Sequence, residues 1–151
     1  MASCEIEVKE KRLRTIGVRL DEGAYMPERA HASDAGLDLR TPDSFVLSPH
    51  SHVTIDTGVH MIIPEGYAGF LKSKSGLNVK KDITSDGTID SGYTGSICVK
   101  LYNNGGQIHV FRSGDKISQI VITPVETPMP VEIIDLPETD RGTDGFGSTG
   151  R

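Results

Sequence analysis

Gly87-Thr88-Ile89-Asp90-Ser91-Gly92-Tyr93-Thr94-Gly95 is followed at alternate positions by Ile97, Val99 and Leu101. Three glycines in nine residues mark a tight, bent backbone that a ligand can approach closely. The period of two after it reads as a strand with one buried face. Asp90 is therefore expected at the mouth of a β-hairpin, held by a rigid strand. Taken alone, the stretch allows two readings: an ordinary turn with a solvated carboxylate, or one wall of a binding site.

Outward from that stretch, the chain repeats the same grammar. Short apolar runs lie at Ile16–Leu20, Leu37–Leu39, Phe45–Leu47, Val53–Ile63, Tyr67–Leu71, Val110–Phe111 and Ile117–Ile122, separated by Gly, Pro and Asp turn signals. Turn signals every eight to twelve residues, without a long amphipathic helix, predict an all-β sandwich or barrel such as a jelly roll. One short helix is expected after Ser75-Gly76. From residue 124 the composition changes. Pro124, Pro128, Pro130 and Pro137 stiffen an extended arm around one strand-like run, Val131–Leu136. The expected organisation is a β-barrel body over 1–123 and a C-terminal arm over 124–151.

Bulk properties exclude several classes. The chain of 151 residues is long enough for one self-sufficient core without disulfides. Cys4 and Cys98 read as free thiols. No apolar run reaches transmembrane length and no secretory leader is evident, so a soluble, cytoplasmic protein is expected, or one of the host-cell cytoplasm or virion if the source is viral. The net charge of −5 argues against direct nucleic-acid binding. Cations are nonetheless grouped at Lys72, Lys74, Lys80 and Lys81, with Arg112, Lys116 and Arg141 later, and such groups suit a compact polyanion. Lys80 and Lys81 read more simply as solvated.

Singly, the remaining motifs are weak. Ser75-Gly76 serves either as a plain N-cap or as a phosphate site at a helix start. Asp38 either closes a turn or holds a hydrated divalent ion. His50-Ser51-His52 has same-face strand spacing, but nothing nearby completes a zinc set. The stretch Arg141-Gly142-Thr143-Asp144-Gly145-Phe146-Gly147-Ser148-Thr149-Gly150 is rich in the groups that wrap phosphate: an Arg, hydroxyls and glycine N–H donors.

In order and spacing, the motifs resemble those of the homotrimeric dUTPases. They run Ala35-Gly36-Leu37-Asp38-Leu39, Lys74-Ser75-Gly76-Leu77, the Gly87–Gly95 stretch, Gly114-Asp115-Lys116-Ile117-Ser118-Gln119, and the glycine-rich tail, over roughly residues 14 to 150. The third and fifth are the specific ones. The resemblance implies a distorted jelly-roll barrel with one short helix and an extended arm. It implies magnesium-dependent hydrolysis of dUTP to dUMP and pyrophosphate, which limits uracil in DNA and supplies dUMP for dTMP synthesis.

By matching position, the resemblance also implies roles. Asp90 activates the water that attacks the α-phosphorus. Tyr93 packs under the deoxyribose and excludes a ribose 2′-hydroxyl. The backbone around Thr84, Gly87, Thr88 and Ile89 reads uracil. Asp38 meets magnesium through water. Lys74, Ser75, Gly76 and Gln119 contact the phosphates. Phe146 with Gly147 covers the base, and Arg141, Ser148 and Thr149 clamp the γ-phosphate. Family members are trimers in which each arm closes a site shared between subunits. Lys74 stands where many relatives have Arg, giving a point charge in place of a bidentate fork, and Asp144 stands where Gly is common. An alternative on the same fold is a nucleotide-gated regulatory or binding protein, since a complete site does not preclude a second role.

Overall fold

The computed structural model describes residues 13–145 and residue 150. The described residues form eleven strands and one helix: β1 Gly17–Leu20, β2 Gly36–Arg40, β3 Phe45–Leu47, β4 His52–Asp56, β5 Val59–Ile62, β6 Tyr67–Lys72, α1 Ser75–Lys81, β7 Ile83–Thr84, β8 Asp86–Ile89, β9 Cys98–Asn103, β10 His109–Phe111 and β11 Lys116–Pro124. All pairings between them are antiparallel. The sheets run β2-β11-β6-β8, β4-β9-β7, β1-β5 and β10-β3. This is the expected all-β jelly-roll class.

The alternation that suggested strands is a burial pattern. Ile97, Val99 and Leu101 are fully buried, as are Leu39, Val59, Ile117 and Ile120. Together they fill the single core between the sheets. The Val53–Ile63 segment is two strands, because Thr57-Gly58 interrupts it. Buried Thr57 satisfies the break by donating its hydroxyl to the Ile97 carbonyl at 2.6 Å.

Two features of β11 and α1 shape the site. A β-bulge at Ile117 shifts the β2–β11 register between Lys116 and Ser118. An extra residue reverses side-chain parity, so Lys116, opposite Arg40, and Gln119, opposite Asp38, lie on one face. Helix α1 starts at Ser75 with Lys74 as its N-cap and no side chain capping it. Ser75 is thus the first helical residue, and the N-cap reading of Ser75 is corrected. Lys80 and Lys81 occupy the last turn, where the helix dipole favours cations; that accounts for them as solvated residues.

The arm is extended, as expected, but its strand-like run does not form a strand. Val125 N–H bonds the Gly66 carbonyl at 3.0 Å, and beyond it no strand forms among the described residues. Val131, Ile133, Ile134 and Leu136 stand exposed, Ile134 at 99%. The run Val131–Leu136 has strand composition but no partner edge among the described residues.

Candidate active site

Asp90 does not sit on a simple hairpin. The ladder closes only at its base, where Ile83 faces Asn103 and Thr84 faces Tyr102. Continued, that register would set Thr88 against Cys98. Instead β8 turns away to pair with β6, Thr88 facing Phe70, while β9 pairs with β4, Cys98 facing Asp56. The strands part, and a cavity of about 270 Å³ opens between them, lined by Thr88, Ile89, Asp90, Tyr93, Ser96 and Cys98. Each parted strand turns an unpaired backbone edge to this slot, offering N–H donors and C=O acceptors.

The loop after β8 is held from several sides. Tyr93 N–H bonds the Asp90 carbonyl at 3.3 Å, and Gly92 takes φ +80°, a left-handed value that favours glycine. Tyr93 Oη donates to the Ser96 carbonyl at 3.0 Å. Its ring lies over Gly95, where a Cβ would collide with it. Ser96 Oγ donates to Asp56, and Asp56 also accepts the Gly58 N–H at 3.0 Å. These two bonds, Ser96 first, hold the Asp56 carboxyl below its usual range.

A second cluster surrounds Asp38. This carboxylate is 4% exposed. Lys74 Nζ donates to Oδ1, and Lys116 Nζ stands 2.7 Å from Oδ2, an ion pair outside hydrogen-bond geometry. Burial pushes the Asp38 pKa up, but Lys116 and then Lys74 outweigh it, and the net direction is down. Gln119 donates to the Ser73 carbonyl at 3.1 Å and packs over Gly36, tying the loop before α1 to the sheet. Lys74, Ser75, Gly76, Asp38 and Gln119 therefore share one neighbourhood. In the first turn of α1 the N–H donors lack intrahelical partners.

The two clusters are apart. Asp38, Gln119, Lys72 and Asp86 form one row across the sheet. Three strand spacings, plus four residues along β8, put roughly 20 Å between Asp38 and Asp90. One chain does not bring its phosphate-type cluster to its own Asp90 slot. Thr84 lines a different hollow, with Lys72, Ser73, Asn78 and Tyr102, and accepts a bond from Asn104 Nδ2 at 3.1 Å. Gly87 faces Leu71 in the ladder, up the strand from the slot. Arg141 donates to the Asp144 carbonyl at 3.0 Å on the exposed arm. Phe146, Gly147, Ser148 and Thr149 lie outside the described residues.

Lys116, Ser96 and Cys98 were not among the expected site residues. Cys98 was within reach of sequence reasoning, since the alternation that buries Ile97 and Val99 turns it the other way. Lys116 was not, because its approach to Asp38 depends on the bulge.

A buried core of antiparallel strands, a polar slot between two parted edges and a carboxylate gripped by two lysines define a β-fold protein built for a small polyanionic ligand. The chain belongs to the dUTPase family: the family model described as dUTPase matches residues 22–150. A relative from Thermobifida fusca, named deoxyuridine 5′-triphosphate nucleotidohydrolase, is 42% identical over 87% of this chain and 76% of its own length. The one of the same name from Tropheryma whipplei is 41% identical over 87% of this chain and 93% of its own. Among solved structures, a mutant dUTPase of Staphylococcus bacteriophage 80alpha with dUpNHpp superposes with a TM-score of 0.82, at 31% identity, covering 92% of this chain and all of that one. A mutant dUTPase of phage phi11 of S. aureus, described with a structural Mg(II) ion, has a TM-score of 0.75 at 34% identity, over 80% and 97% of the two chains.

Proposed function

We propose that the chain hydrolyses dUTP to dUMP and pyrophosphate, with the uracil held in the slot between β8 and β9. The observation that carries this is the parted pair of strand edges with Asp90 and Tyr93 at its border. Uracil presents an N–H donor between two carbonyl acceptors, a pattern that backbone edges can complement. A rigid wall also resists a thymine methyl, although steric exclusion of one methyl is worth only about 1–3 kcal/mol. Tyr93, with its ring fixed by Ser96 and Gly95, leaves no room for a 2′-hydroxyl.

In this reading Asp90 accepts a proton from a water whose oxygen bonds to the α-phosphorus as the bond to the α–β bridging oxygen breaks, releasing pyrophosphate. Lys74 and Lys116 neutralise phosphate charge, and Ser75, Gly76 and Gln119 add donors. Arg141 and the tail beyond it close over the nucleotide. The residues fit a magnesium ion carried by the nucleotide rather than a metal held by the chain. No group of three or more His, Cys, Asp or Glu side chains gathers among the described residues. In this reading Asp38 would meet such an ion through water. When bound, magnesium neutralises the triphosphate.

The separation of the clusters supports a shared site. A neighbour's Asp38 cluster would complete each Asp90 slot, and the exposed apolar run of the arm gives a second chain something to bury, in a homotrimer of the family type. The proposed setting is cytoplasmic. The test is pyrophosphate release from each common nucleoside triphosphate with magnesium. Release is expected from dUTP alone, and comparable rates with dTTP or UTP would sink the specificity reading. Asp90→Asn is expected to lower kcat by about 10²–10⁴ while still binding dUTP; near-normal turnover would remove Asp90 as the base.

A further inference from the structure

One polar knot outside both clusters touches the Asp90 loop. His60 of β5 lies opposite Arg19 of β1. Its Nε2 is 2.9 Å from Asp21 Oδ2 and 3.0 Å from Arg19 Nη2, while its Nδ1 is 2.7 Å from the Thr94 carbonyl oxygen. Arg19 in turn donates to Asp21 Oδ1 at 2.8 Å. Thr94 is the residue after Tyr93. The His60 side chain is 16% exposed, while Arg19 and Asp21 are 71% and 47% exposed, so solvent meets the knot from their side.

We propose that His60 is a positioning residue for the candidate site: its ring ties the return limb of the Asp90 loop to the β1–β5 sheet and thereby sets where Tyr93 stands beside the slot. The inference rests on the proposed dUTP hydrolysis.

Hydrogen-bond chemistry decides the state of the ring. A carbonyl only accepts, so the grip on Thr94 needs a hydrogen on Nδ1. A carboxylate also only accepts, so the bond to Asp21 needs one on Nε2. Only the imidazolium makes both. A neutral ring with its hydrogen on Nε2 keeps Asp21 and turns a lone pair to Thr94, releasing the loop. The form with its hydrogen on Nδ1 keeps Thr94, accepts from Arg19, and turns a lone pair to Asp21. Each neutral form keeps one bond to an ionised partner, Asp21 or Arg19, and both hold Thr94 less well than the imidazolium, whose bond to that carbonyl is itself charge-assisted.

The groups facing the ring are Arg19 on β1, Asp21 just after it, Asp56 at the end of β4 and the Thr94 carbonyl. Asp21 favours the cation, and Arg19, whose Nη2 lies 3.0 Å from Nε2, opposes it. The Asp21 bond first, then the Thr94 bond, raise the His60 pKa above the ordinary imidazole value. The grip on Thr94 is complete in mild acid and weakens as pH rises through that raised pKa. The Ser96–Asp56 bond and the Ile97 N–H to Val59 carbonyl bond, 2.8 Å, hold the neighbouring residues without His60. Losing His60 therefore loosens the peptide after Tyr93 without unfolding the loop.

The experiment compares the full chain with His60→Ala and His60→Gln, in dUTP kinetics from about pH 6 to about pH 9, bracketing an imidazole titration. In mild acid, His60→Ala is expected to raise KM roughly three- to tenfold, the range one hydrogen bond supplies, with kcat within about twofold. The gap should narrow as pH rises, because the wild type loosens too. Gln donates an amide N–H that does not titrate, so His60→Gln should restore most of the lost affinity and flatten the pH dependence. Hydrogen exchange of the peptide covering 94–97, without nucleotide, should be faster in His60→Ala and near wild type in His60→Gln. A His60→Ala profile superposing on wild type, a loss confined to kcat, or unchanged exchange would overturn the assignment. Failure of the wild type to hydrolyse dUTP would overturn the proposed function instead, and the exchange measurement would still decide whether His60 holds Thr94.

Discussion

At the residue scale, Asp38 is the one buried charged residue among the described residues. It is buried, it faces two ammonium groups, and its backbone N–H bonds the Glu28 carbonyl at 2.7 Å. Lys74 and Lys116 are 26% and 37% exposed and meet it from the solvent side. Its folded pKa is lowered, so it stabilises the native state above the ordinary Asp pKa of about 3.9. That contribution is lost as pH falls through the lowered folded value. Asp38→Asn is expected to cost about 1–3 kcal/mol near neutral pH, since the lysines re-solvate but lose a charged acceptor. The deficit should shrink toward strong acid, where wild-type Asp38 is itself protonated. Urea unfolding at a series of pH values checks this; a deficit that does not change into strong acid would contradict the ion-pair account.

At the scale of elements, the slot exists because the chain leaves β9 after the two-residue β7–β9 ladder and β8 pairs with β6, while β9 stays paired with β4. The inward face of β9 is buried and that of β8 half-buried while their edges part. The arm is the opposite case, a segment with strand composition and no edge to pair with. Its terminal part carries Arg141, and none of the described arm residues belongs to the core. Truncation after Leu136 is expected to leave the melting temperature and solution mass close to those of the full chain. It should lower dUTP turnover by at least about tenfold, because a closing segment excludes water and commits the substrate. Retained turnover would show that residues 137–151 are not a lid.

At the scale of the whole molecule, the roughly 20 Å between Asp38 and Asp90 is the dominant fact. Under the proposed function a neighbouring copy closes that gap, its lysine cluster meeting the phosphates of a nucleotide held in this chain's slot. Mixing separately inactive Asp90→Asn and Lys74→Ala chains, after unfolding and refolding together, should restore activity. Some mixed assemblies then pair an intact slot from one chain with an intact lysine cluster from another. Absence of complementation, in mixtures whose mass shows mixed oligomers, would mean that each chain works with its own residues.

The sequence by itself determined what burial and local chemistry encode. Ile97, Val99 and Leu101 announced a core face, the Gly, Pro and Asp signals the turns between short strands, and the five motifs a family whose match covers residues 22–150. Periodicity states which face of a strand is apolar, and apolar faces must be covered whatever the partner. It does not state which strand pairs with which. That is why the hairpin expected at Asp90 became two strands parting into different sheets, and why Val131–Leu136, a strand by composition, is extended and exposed. Tertiary structure alone decided the bulge at Ile117 that brings Lys116 onto Asp38, the hold of His60 on Thr94, and the distance between the two clusters. Each depends on non-local pairing across the fold, which a local pattern of residue types leaves open.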